Sequence, residues 1–148
     1  MKISMLHKII ATVFFIGYFP FAPGTLASAF AMAILWIFNP SDVVILSILI
    51  TSLILGTISS EKVAKEYNSK DPSYVVIDEF VGYLTAVVFL PLNWQVLVAG
   101  FILFRFLDIL KPPPLRQAEK IGGGLGIMLD DFLSGIISNL LIRVFLLL

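Results

Sequence analysis

The sequence predicts an all-α membrane protein, a polytopic bundle of about four or five transmembrane helices with a short N-terminal interfacial or re-entrant helix. Of its 148 residues, 59% are hydrophobic and only 14% are charged, far too few for the surface of a soluble domain. Three long stretches contain no charged side chain, namely residues 9–41, 43–60 and 80–104. Apolar stretches of about 18 residues or more are typical of transmembrane helices.

Turn-forming residues divide this apolar chain into elements. The predicted spans are roughly 25–38, 43–59, 73–90, 94–110 and 125–148. Asp71 is the expected N-cap of the third span, with Pro72 at its first helical position. Residues 9–22 are broken by Gly17 and Pro20, which favours an interfacial helix over either a full span or a cleaved signal peptide. One integral-membrane domain is expected over residues 1–148.

The basic residues predict the orientation of the bundle. Eight of the ten lie before the first span, between the second and third, or between the fourth and fifth: Lys2, Lys8, Lys62, Lys65, Lys70, Lys111, Arg116 and Lys120. Arg105 is near the cytoplasmic end of its span, and only Arg143 lies toward the far side. The intervening turns at 39–42 and 91–93 contain no Lys or Arg. By the positive-inside rule, the N-terminus and both basic loops are expected in the cytoplasm.

Five carboxylates lie in strongly apolar sequence: Asp78, Glu79, Asp108, Asp130 and Asp131. A charge in hydrocarbon costs about 2.5–3.5 kcal/mol on insertion scales, so each needs a partner, water or a metal ion. With the predicted orientation, all five lie within about 10 Å of the cytoplasmic interface, because each is near the cytoplasmic end of its span. Carboxylate oxygens are preferred ligands of Mg²⁺, so the sequence predicts a magnesium site here.

Phosphate-binding groups are predicted on the same side. Arg105 and Lys111 lie three residues before and after Asp108, and Gly24 and Thr25 open the first span, where free backbone N–H groups bind anions. A second glycine-rich segment, 122–126, opens the fifth span. The polar stripe of the fifth span is expected to serve helix packing, with Ser134 also as a hydrogen-bond partner of Asp130 or Asp131; its members are Asp131, Ser134, Gly135, Ser138 and Asn139.

Several functional classes are disfavoured. The net charge is zero, so no nucleic-acid partner is expected, and the absence of cysteine excludes thiol chemistry. The single histidine, His7, is expected to be a solvated flank residue, and one histidine cannot serve a histidine-dependent lipid phosphatase. The main alternative is an ion-coupled transporter using the carboxylates, although transporters place such groups near the midplane of repeated halves.

Four sequence blocks in order then show a family resemblance. They are Phe19-Pro20-Phe21-Ala22-Pro23-Gly24-Thr25, Val76-Ile77-Asp78-Glu79-Phe80-Val81-Gly82, Phe104-Arg105-Phe106-Leu107-Asp108-Ile109-Leu110-Lys111-Pro112 and Gly123-Gly124-Leu125-Gly126-Ile127-Met128-Leu129-Asp130-Asp131. From about Ile16 to its C-terminus the chain resembles the A-type bacterial phosphatidylglycerophosphatases. Ala27 and Pro113 depart from the family pattern without removing a chemically active group.

The resemblance implies Mg²⁺-dependent conversion of phosphatidylglycerophosphate to phosphatidylglycerol, at the cytoplasmic face of a bacterial inner membrane. The implied metal ligands are Asp78, Glu79, Asp108, Asp130 and Asp131, of which the four aspartates are also expected to be catalytic. The expected phosphate-binding residues are Lys111, Arg105, Arg116, Thr25 and Gly24. Either a metal-bound water or an aspartate, Asp130 or Asp131, attacks phosphorus. The expected partners are the lipid substrate and the bilayer, and homo-oligomerisation stays open.

Overall fold

The computed structural model describes residues 3–148, and in this range the chain is helical without any strand. Lys2, part of the predicted basic flank, lies outside the described residues. The α-helices are α1 (Met5–Ala11), α2 (Pro23–Phe38), α3 (Asp42–Glu66), α4 (Ile77–Val87), α5 (Trp94–Leu110), α6 (Pro113–Glu119) and α7 (Gly123–Leu147), with a short 3-10 helix at Ile16–Tyr18. The all-α prediction is confirmed.

Two helices, α3 and α7, are long and apolar enough to cross a membrane. Each has 25 residues, which at 1.5 Å per residue is about 37 Å and exceeds the roughly 30 Å hydrocarbon core of a bilayer. Helix α2 is a shorter apolar helix of 16 residues. The part of the chain that the structure describes therefore contains two helices of transmembrane length and composition, fewer than the four or five spans expected.

Several predicted boundaries are wrong. Helix α3 continues to Glu66 instead of ending near residue 59, because its charged last turns stay helical and Lys65 pairs with Glu61 one turn away. The third predicted span, 73–90, is shortened at both ends to Ile77–Val87. Asp71 and Pro72 lie in the loop before it and do not cap it.

Helix α6 was not predicted at all. The predicted spans leave residues 111–124 without a helix, and the prolines at 112–114 do follow the end of α5 at Leu110. However, Pro113 and Pro114 lie in the first turn of α6, where a missing N–H costs no intrahelical hydrogen bond. The chain therefore restarts as a helix directly after the turn at Lys111.

Helix α4 lies at the centre of the bundle. It packs against α2, α3, α5 and α7, and all its residues except Glu79 are buried. With 11 residues it is only about 16 Å long, half the thickness of a bilayer core. A helix that ends inside apolar surroundings leaves carbonyl groups that need partners.

Two side chains of α7 provide those partners. The amide nitrogen of Asn139 lies 3.1, 3.1 and 2.9 Å from the carbonyl oxygens of Thr85, Ala86 and Val88. Arg143 donates to Val88 and Phe89 carbonyls and, at 2.7 Å, to the amide oxygen of Asn139. Asn139, expected only to aid packing, thus provides hydrogen-bond donors for the carbonyl groups at the end of α4.

The backbones of α4 and α7 approach closely at a pair of glycines. A Cβ added to Gly135 would lie 2.4 Å from the carbonyl oxygen of Gly82, and a Cβ on Gly82 would lie 2.4 Å from the Phe104 ring. Neither position has space for a side chain. Asp78 and Asp131 each stand four residues before one of these glycines, so the close crossing brings the two carboxylates together.

The N-terminal segment is a short helix packed on α3. The predicted helix at 9–22 is wrong in position, because α1 lies at Met5–Ala11 and only the 3-10 helix at Ile16–Tyr18 follows before α2. His7 is half-buried and not solvated as expected; its ring nitrogens lie 3.1 Å from Ser59 Oγ and 2.8 Å from Lys62 Nζ. The segment also supports α4, since the carbonyl of Ala11 accepts from the N–H of Val76, the residue before that helix.

Candidate active site

Five carboxylates from three helices form two overlapping groups. Asp78, Glu79 and Asp131 make one, and Asp108, Asp130 and Asp131 make the other. Within each group, one oxygen of every residue lies within 4.8 Å of the others. Asp131 belongs to both groups, so α4, α5 and α7 each contribute to one continuous cluster. The cluster brings together all five acidic residues singled out in the sequence.

The cluster is largely buried, and three of its five acids have an oxygen without a hydrogen-bond partner. The exposed fractions of Asp130 and Asp131 are only 4% and 1%. One buried oxygen on each of Asp78, Glu79 and Asp131 has no hydrogen-bond partner, and among residues 3–148 no cation forms an ion pair with these three. Buried, unpaired carboxylates are strongly unfavourable. Oxygen ligands in this arrangement fit a divalent cation such as Mg²⁺, which would supply the missing positive charge.

Arg105 neutralises one acid of the second group. Its Nη1 lies 2.5 Å from Oδ2 of Asp108, three residues on in α5. The spacing of three residues noted in the sequence thus brings these two side chains into contact. The guanidinium also has a buried Nε without a partner, so Arg105 keeps a donor that its contact with Asp108 does not use.

Lys111 pairs with Asp130 and not with Asp108, although it lies three residues after Asp108 in the sequence. It is the C-cap of α5 in a left-handed conformation, with φ of 44°, and so leaves the helix face on which a spacing of three residues would place it. Its Nζ lies 2.8 Å from Oδ2 of Asp130 and also donates to the Glu119 carboxylate. Burial lowers the pKa of Lys111, but these hydrogen bonds outweigh it and hold the pKa above its ordinary value. Lys111 is therefore a cation at neutral pH.

The start of α2 lies directly against Glu79. A Cβ on Gly24 would lie 2.2 Å from Glu79 Oε1, so only glycine leaves room for this carboxylate. Ser28 Oγ, one turn later, lies 3.1 Å from the Gly24 carbonyl and 3.4 Å from that of Glu79. Thr25 is half-buried beside Gly24. This places the first turn of α2, with its free N–H groups, at the edge of the cluster.

Two other predicted residues stand apart from the cluster. Arg116 is exposed on α6, where it lines a surface depression with Lys111 and Lys120, and it makes no ion pair within residues 3–148. Ser134 does not contact a carboxylate group; its hydroxyl donates to the backbone carbonyl of Asp130 at 2.8 Å. The expectation that Ser134 supports an aspartate side chain is wrong, because serine in a helix readily bonds the carbonyl four residues back.

Two residues of the site were missed in the sequence. Gly82 allows the backbones of α4 and α7 to come into contact. The sequence does contain a pattern that indicates this role, because the spacing of Asp78 and Gly82 is the same as that of Asp131 and Gly135. Glu119 contacts Lys111 from α6. No helix is predicted between the fourth and fifth spans, so no sequence pattern places Glu119 beside the carboxylates.

Residues 3–148 form helices without strands, and two of these helices are long and apolar enough to cross a membrane. Together with a buried carboxylate cluster that could hold a metal ion, they define the class of helical membrane proteins with a polar site. Residues 9–146 match the family model described as Phosphatidylglycerophosphatase A, and the chain belongs to this family. The resemblance found in the sequence is thereby confirmed.

Curated relatives agree with this assignment. The chain is 34% identical to a protein of Escherichia coli K12 named Phosphatidylglycerophosphatase A, over 93% of this chain and 82% of the relative. A Haemophilus influenzae protein of the same name is 40% identical, over 91% and 86%. A Bacteroides thetaiotaomicron protein named "Putative phosphatidylinositol-3-phosphatase" is 39% identical, over 95% and 94%. No solved structure matches the chain. These comparisons give the transporter alternative no support.

Proposed function

We propose that this protein is a Mg²⁺-dependent phosphatidylglycerophosphatase, which removes the terminal phosphate of phosphatidylglycerophosphate to leave phosphatidylglycerol. Family membership supports the reaction. The observation that carries the metal dependence is the cluster of two carboxylate groups sharing Asp131, with buried oxygens that lack any partner. The transporter alternative is not retained.

The metal ligands in this proposal are the five clustered acids, Asp78, Glu79, Asp108, Asp130 and Asp131. When bound, Mg²⁺ supplies positive charge that offsets the charge on the substrate phosphate. Glu79 faces the first turn of α2, so the backbone N–H groups of Gly24 and Thr25 are placed to bind a phosphate oxygen at the edge of the cluster.

Lys111 and Arg105 complete the binding of the phosphate. Both are hydrogen-bonded to acids of the cluster, which fixes their head groups beside it. Arg116, exposed on α6, is assigned to the first encounter with the charged head group. Hydrolysis adds water across the phosphorus–oxygen bond. Asp130 or Asp131 either attacks phosphorus or accepts the proton of the attacking water.

We also propose a multi-pass arrangement in the bacterial cytoplasmic membrane, with residues 1–148 forming one domain. In it α2, α3, α5 and α7 cross the bilayer, and α4 is a buried partial span whose far end is satisfied by Asn139 and Arg143. The distribution of Lys and Arg supports a cytoplasmic location for the site.

One specific observation supports a second candidate lipid substrate. The relative named "Putative phosphatidylinositol-3-phosphatase" is 39% identical and is matched over 94% of its length. Phosphatidylinositol 3-phosphate and phosphatidylglycerophosphate both carry a phosphomonoester on a polar head group attached to a lipid. The carboxylate cluster and Lys111 could bind the phosphate of either compound. The two candidate substrates therefore differ only in the polar head group that carries this phosphate.

The test is phosphate release by detergent-purified protein from three lipids: phosphatidylglycerophosphate, phosphatidylinositol 3-phosphate and phosphatidic acid. Each is assayed with Mg²⁺ and after addition of EDTA. We expect the highest kcat/KM with phosphatidylglycerophosphate, and its loss with EDTA. A higher kcat/KM with phosphatidylinositol 3-phosphate would reassign the substrate. Folded protein that releases phosphate from none of the three would contradict the proposed function.

A further inference from the structure

Lys111 contacts two acids that differ in how far they are exposed to solvent. One partner, Asp130, has a side chain that is only 5% exposed, while the other, Glu119, is 43% exposed. Asp130 lies within the carboxylate cluster, whereas Glu119 reaches Lys111 from α6, outside it. An ion pair with a half-exposed partner is weak because water screens it, so the contact with Glu119 is easily exchanged.

A cavity of about 380 Å³ adjoins this ion pair. It is lined by three acids, Asp71, Glu119 and Asp130, by two exposed lysines, Lys70 and Lys120, and by the glycine-rich start of α7. Its volume falls in the range of small-molecule sites. Lys111 is bonded to two of these acids, Glu119 and Asp130, and itself lines the neighbouring surface depression with Glu119 and Lys120. A phosphate group that takes the place of the Glu119 carboxylate would therefore contact Lys111 where the cavity and the depression adjoin.

We propose that Glu119 is a displaceable counter-ion, which holds Lys111 in the empty site and gives up its place to the incoming phosphate. The inference rests on the proposed function for the nature of the substrate. Asp130 keeps its contact throughout, so Lys111 remains oriented while the exposed partner is exchanged. A phosphate dianion binds Lys111 in the position of the Glu119 carboxylate, and Lys70 and Lys120 line its route.

This role makes Glu119 a positioning residue that acts through Lys111, and it predicts tighter phosphate binding when the competing carboxylate is removed. A purely structural role, in which Glu119 tethers α6 to the end of α5, predicts the opposite or no change. The exposed pair of Glu61 and Lys65 provides a matched control, because it is also a short Lys–Glu contact with a 43% exposed glutamate.

The experiment compares Glu119→Gln, Glu119→Asp and Glu61→Gln with the unmodified protein. Inorganic phosphate is the probe, measured as a competitive inhibitor of phosphatidylglycerophosphate hydrolysis in Mg²⁺. We expect Glu119→Gln to lower the Ki for phosphate and the KM about two- to fivefold, with a smaller change in kcat. Glu119→Asp keeps the charge, so its Ki and KM should lie closer to those of the unmodified protein than to those of Glu119→Gln. Glu61→Gln should leave the Ki for phosphate within twofold of the unmodified value.

A second readout needs no turnover. Inorganic phosphate with Mg²⁺ should raise the thermal unfolding temperature of the protein, and at equal phosphate it should do so more in Glu119→Gln. If the protein does not hydrolyse the lipid, the proposed function is contradicted. The stabilisation by phosphate can still be measured, and it still tests the role of Glu119. An unchanged or higher Ki in Glu119→Gln, or an unchanged or smaller stabilisation by phosphate, would overturn the role of Glu119.

Discussion

Asp131 occupies the most constrained position of any acid in the cluster. It is 1% exposed, belongs to both carboxylate groups and has a buried oxygen without a partner. Its neighbour Asp130 differs, because that carboxylate is paired with Lys111. Two adjacent aspartates on one helix thus have distinct surroundings: one points among carboxylates and the other faces a cation. On this basis we propose Asp131 as the ligand that would be shared by a metal ion bound in either carboxylate group.

Replacing Lys111 by alanine tests the basic side of the site. The change removes the cation proposed to bind phosphate and leaves Asp130 buried without its partner. Loss of a positioned donor typically costs about 2.7–4 kcal/mol of transition-state stabilisation. We therefore expect kcat/KM for phosphatidylglycerophosphate to fall about 10²–10³-fold. Lys65→Ala, which removes an exposed lysine of α3, is the control and should stay within twofold. Equal kcat/KM for the two variants would exclude Lys111 from phosphate binding.

At the scale of helices, the crossing of α4 and α7 determines the geometry of the site. Helix α4 is short and buried, and it carries two of the acids in its first turn. Its far end is satisfied by Asn139 and Arg143, and its middle touches α7 at Gly82 and Gly135. The depth of α4 in the bundle is therefore determined at its middle and its far end by α7, the helix that supplies Asp130 and Asp131.

Gly135→Ala tests this crossing. The added methyl would lie 2.4 Å from the Gly82 carbonyl oxygen, a backbone atom that can move only if the helices separate. Overpacking of this kind costs about 1–3 kcal/mol of unfolding free energy. We expect a lower thermal unfolding temperature and, at temperatures where the variant is folded, a kcat at least tenfold lower with weaker Mg²⁺ dependence. Ser138→Ala, on the same helix, removes only a hydroxyl bonded within α7 and serves as control. Unchanged kcat in Gly135→Ala would show that the crossing does not position the carboxylates.

For the molecule as a whole, much of the fold and site was predictable from charge and hydropathy. The acids at 78–79, 108 and 130–131 stood out because apolar sequence surrounds them, and they do form one cluster. Helix α5 was also placed correctly, since Asn93 caps its start and Pro112 follows its end. These signals are local, so a sequence displays them directly.

The remaining features depend on contacts between distant segments. The ends of α4 are decided by Asn139 and by Ala11, both more than 50 residues away in sequence, and not by the local Asp71-Pro72 pair. Lys111 pairs with Asp130 because its own left-handed backbone conformation directs it away from the surface of α5. Glu119 enters the site only because prolines start a helix there. No local pattern contains that information.

The proposed orientation is testable because the chain has no cysteine. Single substitutions Ser41→Cys and Gln117→Cys introduce thiols at exposed positions before α3 and on α6. In intact spheroplasts, we expect a membrane-impermeant maleimide to label Ser41→Cys, and to label Gln117→Cys only after permeabilisation. The unmodified chain should not react under either condition. The reverse pattern would place the carboxylate cluster at the outer face and contradict the proposed topology.

The most direct test of the proposed metal site is the Mg²⁺ dependence of Asp131→Asn. Asparagine keeps the shape of the side chain and removes the charge shared by both carboxylate groups. In detergent, the unmodified protein should lose phosphate release with EDTA and regain it with Mg²⁺. Asp131→Asn should unfold at the same or a higher temperature, since a buried unpaired carboxylate is removed, yet release phosphate at least 100-fold more slowly at saturating Mg²⁺. Activity within fivefold of the unmodified protein would contradict the assignment of Asp131 as the shared metal ligand.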